Sequence, residues 1–188
     1  LAPCVQSLIG HTGLRESMRI IVINNGDPQS CDFLPKHPSL EIIQAGKNLG
    51  WEGGLKLGLE HADSEFVCFM NDDTFVPFSS HFWMGHVLPA FADKNVAAVG
   101  PCTNVVMGNQ NIFYGNEASD PYPDAAYLIG YCVVVRRKYL DEVGGVDDTL
   151  PGGDDLDLSM RFRKAGYKLK IARSAFIYHH GFYRRVSA

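Results

Sequence analysis

The sequence lacks several features that would place it in a specialised class of protein. It has no run approaching the ~20 apolar residues that a membrane-spanning helix needs, so no membrane span is predicted. It has no basic stripe, and 17 basic against 21 acidic residues leave a net charge of −4, which argues against nucleic acid as a partner. It has no internal repeat, low-complexity segment or linker, so the 188 residues are predicted to form a single domain spanning 1–188.

The sequence also lacks a C-x-x-C pair. Its five cysteines are scattered along the chain at Cys4, Cys31, Cys68, Cys102 and Cys132. An odd count without paired spacing predicts neither a zinc site nor a redox dithiol. Thiols that stay reduced are typical of the cytosol, so the sequence predicts a cytoplasmic protein.

Short apolar runs alternate with helical stretches along the chain. Strands are predicted at 19–23, 40–43, 65–70, 96–101 and 129–135, and helices at 1–14, 53–61, 79–91 and 155–165. Residues 167–171 alternate in polarity, which predicts a half-exposed strand. This order predicts an α/β domain with a mostly parallel sheet flanked by helices.

The beginning of the chain does not fit that order, because a sheet of this kind usually begins with a strand and none precedes the first helix. We therefore expect the first strand to be missing and the chain to be truncated at its N-terminus. Strand edges left open in this way expose unpaired backbone groups, which predicts a homodimer formed through the open edge.

One long segment, residues 103–127, is rich in Asn, Gly, Asp and Pro and shows no hydrophobic period. Loops of that length in a compact domain usually carry function or else are mobile. We expect this one to help select a substrate.

Two adjacent acids, Asp72 and Asp73, follow the buried strand 65–70. α/β folds place their ligands at the carboxyl ends of such strands. Like charges this close repel, and a bound cation would hold both ionised. Mg²⁺ or Mn²⁺ typically takes one or two carboxylates and completes its shell with phosphates and water. The alternative is an ordinary turn, in which Asn and Asp are common.

A second acidic cluster contains Asp154, Asp155 and Asp157 and follows two glycines. Acids at the start of a helix complement its dipole, and that structural role suffices for Asp157. It accounts less well for Asp154 and Asp155 together, either of which could serve as a general base.

Two further segments hold candidate binding residues. Of the adjacent His179 and His180, only one can face a ligand in an extended segment, and it could bind a metal or a phosphate; a purely structural pair is the alternative. Residues 47–54 are rich in glycine before a helix, which permits close approach to an anion, although a tight connection would have the same composition.

Taken in order, these segments resemble a family 2 glycosyltransferase of the GT-A type. The matching segments, which run from about residue 1 to 183, are Ile21–Gly26, Asn48–Leu59, Asn71–Thr74 with Pro77, Gly130–Arg137 with Val143–Asp147, Asp154–Leu158 with Arg161, and Tyr178–Gly181. A nucleotidyltransferase could share the fold and the aspartates, but it usually carries a glycine-rich, basic N-terminal signature that this sequence lacks.

The resemblance implies an inverting transfer of a sugar from a nucleotide-diphosphate sugar to a glycan or glycolipid acceptor, in the cytoplasm or at the inner face of the membrane. The divalent cation, Mn²⁺ or Mg²⁺, would lie at Asp72, Asp73 and His179. Asp155 would be the general base, with Asp154 beside it where the family often has Glu. The nucleotide and its diphosphate would lie near the remaining candidates, Asn24, Asn48, Gly50, Asp72, His179 and His180.

The sequence departs from the family at Asn24, which stands where an aspartate commonly accepts a hydrogen bond from the base. Together with the missing first strand, this leaves one alternative function open. The chain could be a non-catalytic module that binds a nucleotide or a glycan.

Overall fold

The computed structural model describes residues 1–12, 17–113, 120–150 and 152–181. The helices are α1 (Ala2–His11), α2 (Gly50–Glu60), α3 (Trp83–Val87), α4 (Arg137–Glu142) and α5 (Asp154–Lys164). The strands are β1 (Ile20–Asn24), β2 (Leu40–Gln44), β3 (Phe66–Met70), β4 (Thr74–Phe75), β5 (Val96–Cys102), β6 (Cys132–Arg136), β7 (Lys168–Phe176) and β8 (Tyr178–His179). The predicted α/β class is confirmed.

The main sheet has the strand order β3-β6-β5-β7 and is mixed rather than mostly parallel. β5 and β7 are parallel, whereas β6 is antiparallel to both β3 and β5. A parallel neighbour needs a crossover connection, usually a helix. No helix lies between β5 and β6 in the part of this connection that the structure describes, and β6 runs back beside β5 in the opposite direction.

Two small sheets accompany the main one. β1 and β2 pair in parallel, and β4 pairs antiparallel with β8. Among the described residues, β1 and β3 each pair on one side only, so each is an edge strand. The expected missing strand and truncation stay predictions.

The central strands β5 and β6 are buried on both faces. One face contributes Val99, Cys132 and Val134 to a cluster that also holds Trp83. The other contributes Ala98, Val133 and Val135 to a cluster with Phe162 of α5. Fully burying a large apolar side chain stabilises a fold by roughly 1.5–3 kcal/mol, so these two clusters fix the strands whose ends carry the candidate site.

Two predicted elements differ from the structure. The helix expected at 79–91 is broken into the five-residue α3 and flanking 3₁₀ turns at Phe78–Ser80 and Leu88–Ala92. Pro89, which has no N–H to donate, lies in the second of these turns. The strand expected at 167–171 begins at Lys168 and runs on to Phe176, and its predicted alternation is confirmed at its start, where Lys168 is exposed and Leu169 and Ile171 are buried.

The first helix is confirmed over Ala2–His11, and residues 13 and 14 lie outside the described residues. Its Ser7 hydroxyl accepts the Val76 N–H at 3.0 Å, which ties α1 to the segment after β4. None of the helices in the described ranges is long and apolar enough to cross a membrane.

Candidate active site

The pairing of β4 with β8 brings two predicted motifs together. Thr74 lies opposite His179, and the His180 N–H donates to the Asp73 carbonyl at 3.0 Å. This register places Nε2 of His179 3.3 Å from Oδ1 of Asp73, with both side chains mostly buried. Two segments about a hundred residues apart in sequence therefore meet as one carboxylate–imidazole pair.

The Asp73–His179 pair has the chemistry of a cation site. Nδ1 of His179 lies 3.1 Å from the Val105 carbonyl, which can only accept, so Nδ1 carries the hydrogen. In the neutral ring, Nε2 then presents its lone pair to Asp73, whose Oδ1 is buried without a hydrogen-bond partner. Two buried acceptors that face each other require a proton or a cation between them.

The pair fits a divalent metal, since it offers a carboxylate oxygen and a correctly oriented imidazole nitrogen. In the part of the chain that the structure describes, no cluster of three or more His, Cys, Asp or Glu side chains could hold a metal alone. A site with two protein ligands matches Mg²⁺ and related ions that complete their shells with phosphates and water.

His179 is held from its backbone and from its ring. The Asn104 side chain accepts the His179 N–H at 2.8 Å and donates to its carbonyl at 3.0 Å. The ring stacks on Tyr131, with centroids 5.3 Å apart. Burial raises the pKa of Tyr131 far above its usual range, so the ring that stacks on His179 stays uncharged. Asn104 and Val105 both belong to the long loop 103–127, whose residues 114–119 lie outside the described part.

The neighbours of the pair, Asp72 and His180, point elsewhere. Asp72 is largely exposed, and its Oδ2 lies 3.9 Å from the nitrogen of Leu1. His180 is exposed and makes an edge contact with the Tyr178 ring at 5.0 Å. The structure thus brings Asp73 and His179 together and leaves Asp72 and His180 around them.

Asp155 is fixed at the start of α5 by backbone donors. Its Oδ2 accepts the Gly130 N–H at 3.0 Å, and its Oδ1 accepts the Leu156 N–H at 2.8 Å. The carbonyl of the next residue, Tyr131, accepts the Asn71 N–H at 2.9 Å. Two consecutive residues therefore connect Asp155 with the turn that carries Asp72 and Asp73, and the two predicted acidic motifs lie at one edge of the sheet.

Asp154 has a different environment. The indole N–H of Trp51 donates to its Oδ2 at 3.1 Å, which links α2 to α5. Partial burial, and then the charge of Asp155, raise the pKa of Asp154, and the Trp51 hydrogen bond works against that rise. Carboxylates with raised pKa values beside a cleft are frequent at functional sites.

The third acid of the cluster, Asp157, takes the structural role expected for it. Its Oδ2 accepts from Nε of Arg161 at 2.7 Å, one helical turn away. Arg161 also donates to the carbonyls of Val143 and Gly145 at 2.8 and 2.7 Å, so the pair holds the segment after α4 against α5.

The glycine-rich segment 47–54 is held by a residue that the sequence did not single out, Asn25. Its side chain accepts the Leu49 N–H at 3.1 Å and donates to the Gly50 carbonyl at 2.6 Å. Asn48 accepts the Gly50 N–H at 2.9 Å, where the backbone adopts a φ of +75° that favours glycine. Asn48 and Gly50 therefore shape the entry to α2. The only sequence signal for Asn25 was its place in the turn after β1.

Asn24 is buried and its amide is committed to the same turn. It donates to Gln44 and to the Asp27 carbonyl, both at 2.9 Å, and it accepts from Gly26 at 3.1 Å and from Ser30 at 2.9 Å. The predicted contact of Asn24 with a nucleobase would have to replace one of these bonds.

Residues 1–144 match the model of the family described as Glycosyl transferase family 2. A pre-mycofactocin glycosyltransferase of Mycobacterium tuberculosis (strain H37Rv) is 27% identical over 184 residues, which cover 89% of this chain and 38% of that protein. An uncharacterized protein of the same strain is 32% identical over 174 residues, covering 86% of this chain and 63% of that one.

Solved structures give the same fold. The mannosyltransferase PcManGT from Pyrobaculum calidifontis, in complex with GDP-Man and Mn²⁺, superposes with a TM-score of 0.76 at 17% identity, covering 98% of this chain and 55% of that one. GalNAc-T7 with UDP, GalNAc and Mn²⁺ gives 0.72 at 12% identity, covering 94% and 40%. At these identities the likeness shows the fold, which is of the GT-A type.

Proposed function

The chain belongs to glycosyl transferase family 2, and we propose that it transfers a sugar from a nucleotide-diphosphate sugar to a hydroxyl acceptor, with inversion and with a divalent cation. The observation that carries this proposal is the buried Oδ1 of Asp73, which has no hydrogen-bond partner and faces Nε2 of His179. The matched region spans 38% of the length of the first curated relative, and the activity of the whole protein is therefore part of this proposal.

Asp73 and His179 are the proposed ligands of Mn²⁺ or Mg²⁺, with Asp72 and His180 flanking them toward the diphosphate. When bound, the cation neutralises charge that develops on the departing nucleotide diphosphate. The residues themselves orient this group: Asn104 fixes the backbone of His179, and the Val105 carbonyl fixes its tautomer.

Asp155 is the proposed general base, with Asp154 beside it. As the acceptor oxygen bonds to the sugar carbon, the bond from that carbon to the diphosphate oxygen breaks and the acceptor proton passes to the carboxylate. A single displacement of this kind inverts the configuration of the carbon. The backbone N–H of Gly130, 3.0 Å from Asp155 Oδ2, positions the carboxylate.

The nucleotide is proposed to lie against the turn after β1 and the entry to α2, where Asn24, Asn48 and Gly50 set the backbone. The acceptor is proposed to be a glycan or glycolipid. Five cysteines without a disulfide among them support a cytoplasmic setting, which includes the inner face of the membrane.

The first test is thermal unfolding with UDP, GDP and dTDP, each with and without Mn²⁺. A ligand that binds only the folded state at ~100 times its Kd adds ~2.7 kcal/mol, which is several degrees for a domain of this size. We expect one nucleotide to raise the melting temperature only when Mn²⁺ is present. A shift that is equal with and without Mn²⁺ would contradict the metal site.

The base is tested with Asp155→Asn. The asparagine side-chain oxygen can still accept from Gly130, and the bond that is lost, from the Leu156 N–H, is exposed and can be replaced by water. The fold and nucleotide binding should therefore stay nearly intact while turnover falls by about 10²–10⁴-fold. Donor consumption with acceptor and the nucleotide thermal shift are measured on the same sample. Unchanged turnover would end the assignment. Nucleotide binding without donor consumption in the unsubstituted protein would instead indicate a binding module.

A homodimer is also proposed, formed through the open edges of β1 and β3, since unpaired strand edges favour pairing with another chain. Light scattering at increasing concentration measures it directly, and a mass that stays monomeric would rule it out.

A further inference from the structure

Sulfur atoms from three separate elements meet on one face of the main sheet. The thiols of Cys68 in β3 and Cys132 in β6 lie 3.8 Å apart. The Met70 thioether contacts the Cys4 thiol of α1 at 3.9 Å. Met70 and Cys132 are direct register partners, and both pack in the same core cluster. Of the five cysteines and five methionines in the chain, four are thus brought together here.

The geometry of the Cys68–Cys132 pair suits a shared cation better than a disulfide. The two residues are diagonal in the pairing of β3 with β6, since Cys68 lies opposite Val134 and Cys132 opposite Met70. Diagonal neighbours are typically about 7–8 Å apart, whereas a disulfide usually joins Cα atoms about 4.4–6.8 Å apart. Two sulfurs that are each ~2.3 Å from one cation lie about 3.8–4.0 Å apart at tetrahedral or trigonal angles. The observed 3.8 Å therefore fits a cation between the thiols without movement of either strand.

The donors of this cluster are soft. Thiolate and thioether sulfurs select Cu⁺ and Zn²⁺, whereas carboxylates and water suit Mg²⁺ and Mn²⁺. Met70 is flexible and leaves the same face as Cys132, so its sulfur can reach the pair. Cys4 is already engaged, because its thiol contacts the Thr74 hydroxyl at 3.4 Å and the Asn71 carbonyl at 3.7 Å. Two thiols and one thioether remain, which is one donor fewer than a structural zinc site takes.

Solvent reaches the pair from one side. Cys68 is exposed, whereas Cys132 is fully buried behind it. A cation arriving from solvent meets the Cys68 sulfur first and then the Cys132 sulfur. Each thiol releases its proton to solvent as its bond to the cation forms.

We propose that Cys68, Cys132 and Met70 form a three-coordinate site for Cu⁺. Cys68 and Cys132 supply thiolates, and the Met70 thioether completes the coordination. The site goes beyond the proposed function and does not rest on it, because it uses none of the residues assigned to sugar transfer. It is also separate from the divalent cation proposed at Asp73 and His179, whose oxygen and nitrogen donors suit harder ions.

The test is a competition for Cu⁺ between the reduced protein and a chromogenic Cu⁺ chelator, carried out without oxygen. We expect the native protein to take a single equivalent of Cu⁺ from the chelator and to gain the ultraviolet absorption of Cu–thiolate bonds. Cys68→Ser should bind Cu⁺ at least about 100-fold more weakly, since even groups that only orient a metal ligand are worth about 10–100-fold. Met70→Leu keeps the apolar volume and should weaken binding by about tenfold. No uptake of Cu⁺ by the native protein would overturn the proposal.

Cys31→Ala and Met160→Leu are the matched controls, and both should bind Cu⁺ as the native protein does. Cys31 is a buried thiol of a different core cluster, and Met160 is 68% exposed on α5. Because Cys68 is exposed, Cys68→Ser should unfold at the native temperature without metal, which separates loss of a ligand from loss of the fold. Cys68→Ala is the second variant and should bind Cu⁺ as weakly as Cys68→Ser. Equal weakening in Cys31→Ala and Cys68→Ser, or displacement of bound Cu⁺ by equimolar Zn²⁺, would overturn the assignment.

Discussion

The two acidic ends of the site are built in opposite ways. In the turn before β4, Asp73 keeps a buried oxygen without a hydrogen-bond partner. It lies opposite His179, which is held by Asn104, by the Val105 carbonyl and by the Tyr131 ring. At the start of α5, both oxygens of Asp155 already accept backbone N–H groups. A buried polar atom without a partner costs about 1–3 kcal/mol, so the first arrangement favours a proton or a cation between Asp73 and His179, and the second holds its carboxylate in a fixed position.

The two ends also differ in how they are held. The Asp73 turn is fixed by strand pairing, whereas α5 is preceded by Gly152 and Gly153, both with positive φ. Its link to α2 at this end is the hydrogen bond between Trp51 and Asp154. The side proposed to bind the metal is therefore preorganised, whereas the side proposed to bind the acceptor depends on a hydrogen bond that a substrate could exchange.

The strongest way to break this contrast is Asp73→Asn. An asparagine can donate to Nε2 of His179 and satisfy the pair internally, so the apo protein should unfold at the same temperature or higher. The proposed cation would lose a charged ligand, and with it several kcal/mol of stabilisation of the departing diphosphate. Turnover should therefore fall by at least about 10³-fold. Donor consumption and the Mn²⁺-dependent thermal shift are both measured.

Asp72→Asn is the matched control, since Asp72 is adjacent and largely exposed. Its effect should be at least about tenfold smaller. Equal losses in the two variants would mean that the buried, unpartnered oxygen of Asp73 has no special role.

The same contrast explains what the sequence predicted well. The apolar runs located five strands, and both acidic motifs were expected at the strand and helix ends where the structure has them. The opposite directions of His179 and His180 followed from strand alternation alone. These features depend on local periodicity, which a sequence states directly.

What the sequence did not predict depends on long-range contacts. Asn25, Asn104 and Tyr131 act through bonds to residues far away in the chain, and no local pattern marks them. The reversed direction of β6 had no local signal either, because direction depends on the path of the connection. The break in the helix expected at 79–91 did have a local signal, Pro89, but the hydrophobic periodicity of the segment favoured a continuous helix.

A finer test of the preorganised side is Asn104→Ala. The variant removes both hydrogen bonds to the backbone of His179 but neither proposed ligand. Groups that orient a metal ligand are typically worth 10–100-fold in metal affinity, and we expect the apparent Kd for Mn²⁺ to rise by about that factor. Asn111→Ala controls for loop stability, because the Asn111 side chain bonds within the same loop, donating to the Val106 carbonyl and accepting the Phe113 N–H. Equal effects on Mn²⁺ affinity would assign the loss to the loop as a whole.

The smallest expected effect on turnover comes from a variant that tests the hydrogen bond between Trp51 and Asp154. Trp51→Phe keeps an aromatic ring but removes the N–H that favours the ionised form of Asp154, so the pKa of Asp154 should rise further. On acidification, the turnover of the variant should therefore begin to fall at a higher pH than that of the native protein. We expect a loss of about fivefold, the equivalent of one hydrogen bond of ~1 kcal/mol.

The free energy of unfolding should also be lowered by this variant. A carboxylate whose folded-state pKa is raised opposes folding once it ionises, so the variant should melt below the native protein near neutral pH and converge with it below about pH 4. Lys56→Met is the control: Lys56 lies on α2, as Trp51 does, and it forms an exposed ion pair with Asp148. Because exposed ion pairs contribute little, this variant should not change the pH dependence of turnover. Identical pH profiles for Trp51→Phe and the native protein would show that the Trp51 bond does not control the charge of Asp154, and the acceptor side would then be as fixed as the metal side.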